Sequence, residues 1–170
     1  GQERSLRSGT QNVAGAVALA VALRDSNTRM HEIGRALVAS RDRLIDAVLR
    51  VEPRAQLTGD SQRRLPGHAS FVFPGLSGEA LLVDLDARGI ACSSGSACAV
   101  GRHEAPGTLL AMGYDPAVAK SAIRMTFREP LTLEQINQIA SVVEESCNSL
   151  RGASTVSDPS INVQAQQALA

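Results

Sequence analysis

From Pro53 onward the chain alternates short strand-like runs with helical ones, over connections of a few residues. Connections that short allow a small sheet with helices packed on one face. Residues 54–58 and 69–73 are strand candidates, Ser70-Phe71-Val72-Phe73 being the clearer, with turn signals at Gly59-Asp60-Ser61 and Pro66-Gly67 between them. Ser77 is placed to cap a helix over 78–88 that stops at Gly89. Ile90-Ala91-Cys92 reads as a buried strand. A short helix over 105–112 ends at Gly113, and Asp115-Pro116 is a cap followed by proline at the first helical position. From Ile123 to Phe127 apolar and polar residues alternate, with Arg124 and Thr126 opposite Ile123, Met125 and Phe127. Thr132 and Gln135 form a capping box for a last helix whose apolar face carries Ile136, Ile139, Val142, Val143 and Leu150. No internal repeat is visible.

Two helices precede this unit. Residues 11–24 are rich in Ala and Val and apolar nearly all round, so this helix is either buried or expects a partner surface. Ser26 or Asn27 can cap the next, whose apolar residues Met30, Ile33, Leu37, Leu44, Val48 and Val51 recur at helical spacing and which ends before Pro53. Its length of about 36 Å suits an element linking two domains. Residues 1–10 are polar and begin without an initiating Met, as expected of a segment cut from a longer protein. Residues 152–170 are small and polar, without a core pattern, and are expected to be disordered.

The chain is 44% hydrophobic but only 2% aromatic, so its core must be built from Ala, Val, Leu and Ile. Its 17 basic residues balance 17 acidic ones, and with no basic cluster there is no electrostatic case for nucleic acid or an anionic membrane. No apolar run approaches the roughly 20 residues needed to span a bilayer. The three cysteines, Cys92, Cys98 and Cys147, are an odd number without disulfide-rich spacing, which makes a reducing compartment, the cytoplasm, the default. No C-x-x-C pair is present and no metal site is expected. Cys92 reads as core, and Cys147 as a surface or half-buried helix residue. His31 and His68 read as solvent or packing residues. Gly75-Leu76-Ser77-Gly78 lacks the Gly-Lys-Ser/Thr of a phosphate loop.

Cys98 is different. It ends the run Ser93-Ser94-Gly95-Ser96-Ala97-Cys98, in which no neighbour is bulky enough to bury its sulfur. The run reads as a mobile loop, and an exposed thiol on such a loop calls for a use.

Three segments together resemble one family. Arg7-Ser8-Gly9-Thr10-Gln11-Asn12-Val13, Ser93 to Cys98, and Ser121-Ala122-Ile123-Arg124 look like motifs of the NifS/IscS-type cysteine desulfurases, in that family's order and over residues 1 to about 150. The loop resembles the long-loop subgroup. The resemblance implies the α/β small C-terminal domain of a fold-type I pyridoxal phosphate (PLP) enzyme: a small sheet covered by helices, plus a long linking helix. Residues 1–26 would end the large cofactor domain, 27–150 would form the small domain with the catalytic-cysteine loop at 93–101, and 151–170 would be a disordered tail. The implied reaction converts L-cysteine to L-alanine and leaves a persulfide on the loop cysteine. That sulfur is then passed to a sulfur acceptor or an iron–sulfur scaffold protein by a homodimeric enzyme. By this resemblance Cys98 is the nucleophile, Arg124 pairs with the substrate carboxylate, and Thr10 reaches the PLP phosphate of the neighbouring subunit. His103 is a nearby candidate proton acceptor that the family pattern does not demand.

The one lysine, Lys120, stands in a context unlike the family's cofactor-lysine motif. The chain therefore looks like the C-terminal part only and is expected to be inactive alone. Arg128 and Glu129 stand where the family often has Gly-Arg. The charged Arg102-His103-Glu104 also departs from the family pattern and bears on acceptor preference. The alternatives are a non-catalytic fragment that dimerises through the 11–24 helix, or another fold-type I PLP enzyme such as a selenocysteine lyase.

Overall fold

The computed structural model describes residues 3–6, 8–94 and 105–156. Helix α1 runs unbroken over Val13–Val51, 39 residues, with the Asn12 side chain accepting the Gly15 N–H at its start. This corrects the expectation of two helices divided at Ser26 or Asn27. A capping residue ends a helix only where the backbone also turns away, and neither Gly nor Pro lies between Gly15 and Gly34. The Thr28 hydroxyl, mid-helix, donates back to the Arg24 carbonyl at 2.8 Å rather than capping a new helix.

The four strands, β1 (Gln56–Leu57), β2 (His68–Val72), β3 (Ser93–Ser94) and β4 (Ala122–Thr126), form one sheet in the order β1-β2-β4-β3. All three pairings are antiparallel. Ile90-Ala91-Cys92, expected as a strand, is not one; the strand is the next pair of residues, Ser93 and Ser94. Ile90 and Cys92 still pack against the core from irregular backbone.

Alternation sorts the sheet into two faces. Ala69 and Phe71 on β2, with Ile123 and Met125 on β4, point into the main core. There they meet Leu44, Ile45 and Val48 of α1, Leu81 and Leu85 of α2 (Gly78–Ala87), and Val143 and Cys147 of α5 (Leu133–Val156). A one-residue slip of either strand would turn this whole set to the other face, which fixes the register. Two of the three phenylalanines, Phe71 and Phe73, are fully buried here with ring centroids 6.2 Å apart. The aliphatic core read from composition is thus built around an aromatic pair.

The other face is only partly covered. Short helices α3 (Gly107–Ala111) and α4 (Pro116–Ala119) cap its end, where Val72, Leu109, Ala119 and Ala122 form a second small cluster. Asp115 caps α4 as expected, accepting the Ala117 N–H at 2.8 Å. Buried Ser121 ties this cap to the sheet: its hydroxyl accepts the Phe73 N–H at 2.8 Å and donates to the Val118 carbonyl at 2.6 Å. Gly67 enters β2 where a Cβ would lie 2.0 Å from the Phe127 carbonyl oxygen, so only glycine fits.

The expected caps at Ser77 and at Thr132 with Gln135 are formed. Helix α5 continues to Val156, past the expected end at residue 150. Arg151 is the reason: it forms a salt bridge to Glu52, which is buried at the end of α1. The first six residues of the expected tail are therefore helical, and 157–170 lie outside the described residues. Cys147, read as surface or half-buried, is fully buried between α1 and the sheet.

Candidate active site

The partly open face of the sheet holds a cavity of about 330 Å³. Its floor is the polar side of two central strands. Ser70 on β2 and Ser93 on β3 are the register partners of Arg124 on β4, so Arg124 stands between them on this face. One wall is the connection from β1 to β2, Thr58 through Arg64, and the other is α3 with Pro106 before it. The Asp60 carboxylate pins the first wall by accepting the N–H groups of Gln62 and Arg63 at 2.8 and 2.7 Å.

Arg124 is exposed to the cavity and makes no ion pair or side-chain hydrogen bond among the described residues. A guanidinium held on a strand without a carboxylate partner is a ready anchor for an anionic ligand. The strand-surface ion pair that Arg124 could otherwise have made is not formed.

Cys98 and His103 lie outside the described residues, as does most of the 93–101 loop. The cavity nevertheless lies at the loop's two roots. Ser94, the last described residue before it, and Pro106, just after it, both line the cavity. Ser94 is buried, and it is paired in the ladder to Ile123, beside Arg124. The candidate carboxylate anchor and both ends of the cysteine loop are therefore in one place.

Thr10 is not brought there. It is exposed just ahead of Asn12, at the start of α1, and does not line the cavity. The sheet packs on α1 from Leu37 onward, so about 36 Å of helix separates the two places. Lys120 is exposed at the end of α4 and also lies outside the cavity. No amine of the described cavity could hold PLP as a Schiff base, and the residues present do not by themselves fit that cofactor.

Sequence reasoning missed two cavity residues. His68 lies two positions from Ser70 on the same face of β2 and lines the cavity. Burial first, then the nearby charges of Arg64 and Arg124, hold its imidazole pKa below the ordinary value. The signal was the alternation of β2 set against that of β4, which puts His68 and Arg124 on one face. Arg64 is the other. Its Nε donates to the Asp60 carbonyl and its Nη2 to the Thr58 carbonyl, both at 2.7 Å. The two remaining described thiols are poor nucleophiles. Burial, and next the charge of Asp86, pushes Cys92 up to about 11, and burial pushes Cys147 up to about 12.

Residues 1–139 match the model of the family described as aminotransferase class-V. The chain is 44% identical over 127 residues to the IscS-like cysteine desulfurase of Mycobacterium tuberculosis, covering 74% of this chain and 32% of that protein. It is 36% identical over 153 residues to the cysteine desulfurase NifS of Azotobacter vinelandii, covering 90% of this chain and 38% of that protein. Among solved structures, a NifS-like protein superposes with a TM-score of 0.71 at 31% identity, covering 88% of this chain and 38% of that one. The chain thus spans about a third of the length of the relatives it matches. No helix among the described residues is long and apolar enough to cross a membrane.

Proposed function

The chain belongs to the aminotransferase class-V family, and we propose that it supplies the C-terminal part of a cysteine desulfurase. The reaction is the conversion of L-cysteine to L-alanine, with the substrate sulfur left as a persulfide on Cys98. Arg124 binds the substrate carboxylate, and Cys98, on the loop rooted at Ser94 and Pro106, takes the sulfur as a thiolate. In the complete protein PLP would supply the electron sink, held by a lysine from outside this chain, and Thr10 would contact its phosphate across a homodimer. This chain alone is inactive. Residues 1–26 belong with a large cofactor domain and 27–150 form the small one. The persulfide sulfur goes to an iron–sulfur scaffold or another acceptor protein, in the cytoplasm.

One observation carries the reading. Arg124, without an ion-pair partner among the described residues, is the ladder partner of Ser93 at the root of the loop that carries Cys98, and Ser94 and Pro106 on either side of that loop line the same cavity. The matches to cysteine desulfurases IscS and NifS support the same chemistry.

The test uses the complete protein with PLP and L-cysteine. Alanine release and a cyanolysable persulfide are expected in equal amounts in the first turnover. Cys98→Ser should lose the persulfide, and Arg124→Gln should raise KM by about 100-fold, the loss of a charge-assisted pair. A Cys98→Ser enzyme that still carries protein-bound sulfur at the wild-type level would overturn the role given to Cys98.

A further inference from the structure

Arg124 is not the only guanidinium in the cavity wall without an ion-pair partner among the described residues. Arg63 is spent on Asp60, with Nε 3.2 Å from the carboxylate. Arg64 is not. Its two bonded nitrogens go to the neutral carbonyls of Asp60 and Thr58, and Nη1 is buried without a partner among the described residues. No carboxylate among the described residues lies within ion-pair distance of it, and while the charges of Asp60 and Asp42 act on it from farther off, Arg41 opposes them with a like charge. Two carbonyls thus fix the guanidinium in the cavity wall with no carboxylate in ion-pair contact among the described residues. Between the two arginines stands His68, on the same sheet face. Thr108 adds a hydroxyl from the opposite wall.

We propose that the cavity is a two-pole anion site, with Arg124 at one end and Arg64 at the other, that takes a small molecule bearing two carboxylates. A volume of about 330 Å³ accommodates a chain of a few carbons between them. His68 lies between the poles as a hydrogen-bonding group. The proposal rests on the preceding reading only for the role of Arg124. It goes beyond that reading in giving the site a preference for substrates, or competing ligands, with a second acidic group.

The test compares succinate with butyrate, which has the same carbon chain and one carboxylate fewer, on the 170-residue chain. Binding is read by calorimetry and by the imidazole resonances of His68. Succinate is expected to bind at least about tenfold more tightly than butyrate, the worth of one added charge-assisted contact. Arg64→Gln should remove that preference and leave butyrate unchanged, and Arg63→Gln should leave both unchanged. Arg64→Lys, which keeps the charge, should retain part of the preference and serves if the glutamine variant does not fold. Equal binding of the two acids to the wild-type chain overturns the proposal, as does a preference that survives Arg64→Gln. If instead Arg124→Gln leaves butyrate binding intact, the failure lies with the carboxylate role of Arg124 in the preceding reading.

Discussion

A single register pair, Ser70 opposite Arg124, decides most of what the cavity residues can do. It puts a histidine two positions away on the sheet face that carries Arg124. The folded imidazole of His68 is held below its ordinary pKa of 6.5, first by burial and then by Arg64 and Arg124. As pH falls the unfolded chain takes up this proton before the folded one does. The stability that His68 contributes is therefore full above pH 6.5 and is lost progressively as pH drops through the folded value. We expect the His68 resonances to titrate below 6.5 and Arg124→Gln to move the midpoint up. We also expect His68→Asn to flatten the loss of denaturant stability between pH 7 and pH 5. A midpoint at or above 6.5, unmoved by Arg124→Gln, would show that the arginines do not act on this ring. At this scale the sequence was uneven. Arg124 was legible from a motif and from its place on an alternating strand. His68 was not, because the pairing of β2 with β4 brings it to the site and pairing partners are not written in either strand alone, and Arg64 was not, because its place is set by bonds to the Asp60 and Thr58 carbonyls within the β1–β2 connection. Cys147 was misread for a similar reason: its helix neighbours Ser146 and Asn148 are polar, yet at helical spacing it shares the face of Val143.

Whole elements were read better than their ends. Three of the four later helices start at side-chain caps, Ser77, Asp115 and Thr132, the last with both reciprocal bonds of its capping box at 2.8 and 3.2 Å, whereas α3 starts after Pro106 without one. Ends set by distant contacts were not legible. Helix α5 passes residue 150 because Arg151 reaches Glu52, which lies 99 positions earlier and is buried. Burial would raise the Glu52 pKa, but the Arg151 hydrogen bond and the N–H of Arg54 outweigh it and hold the carboxyl below its usual value. Removing the cation leaves a buried carboxylate unpaired. Arg151→Met should therefore cost about 3 kcal/mol in urea unfolding, whereas truncation after Val156 should cost nothing measurable. A loss under about 0.5 kcal/mol for Arg151→Met would return residues 151–156 to the status of a tail. The middle of α1 offers a test by sign. If Asn27 capped a second helix, Asn27→Ala would destabilise by about 1 kcal/mol. In an unbroken helix it should stabilise by about 0.5 kcal/mol, since alanine is the better interior residue. Thermal unfolding followed by circular dichroism separates the two outcomes.

At the scale of the molecule the chain divides into a packed unit and a bare rod. From Leu37 onward α1 buries a stripe against the sheet and α5. From Val13 to Glu32 every residue is exposed. That rod is not a polar surface: residues 13–23 carry no charge, and Val17, 56% exposed, lies on the side opposite Leu19 and Leu23, which are 62% and 60% exposed. An amphipathic helix can lie on one surface, but a helix apolar all round must be enclosed. This demand was legible from composition alone, since a need for burial shows even when the burying partner does not. The physical consequence follows for the chain in isolation. Apolar surface of this extent associates in water, by burial of roughly 25 cal/mol per Å². We expect light scattering coupled to size exclusion to give a mass well above 17.8 kDa at tens of micromolar. The double substitution Leu19→Glu with Leu23→Glu should return the chain to a monomer while leaving the unfolding midpoint of the packed unit unchanged, because neither residue touches it. In a protein of the relatives' full length, where that helix has something to enclose it, the same pair of glutamates should instead lower the melting temperature. A wild-type chain that elutes as a strict monomer at high concentration would mean that the rod folds back on surface of its own, and the division into unit and rod would be lost.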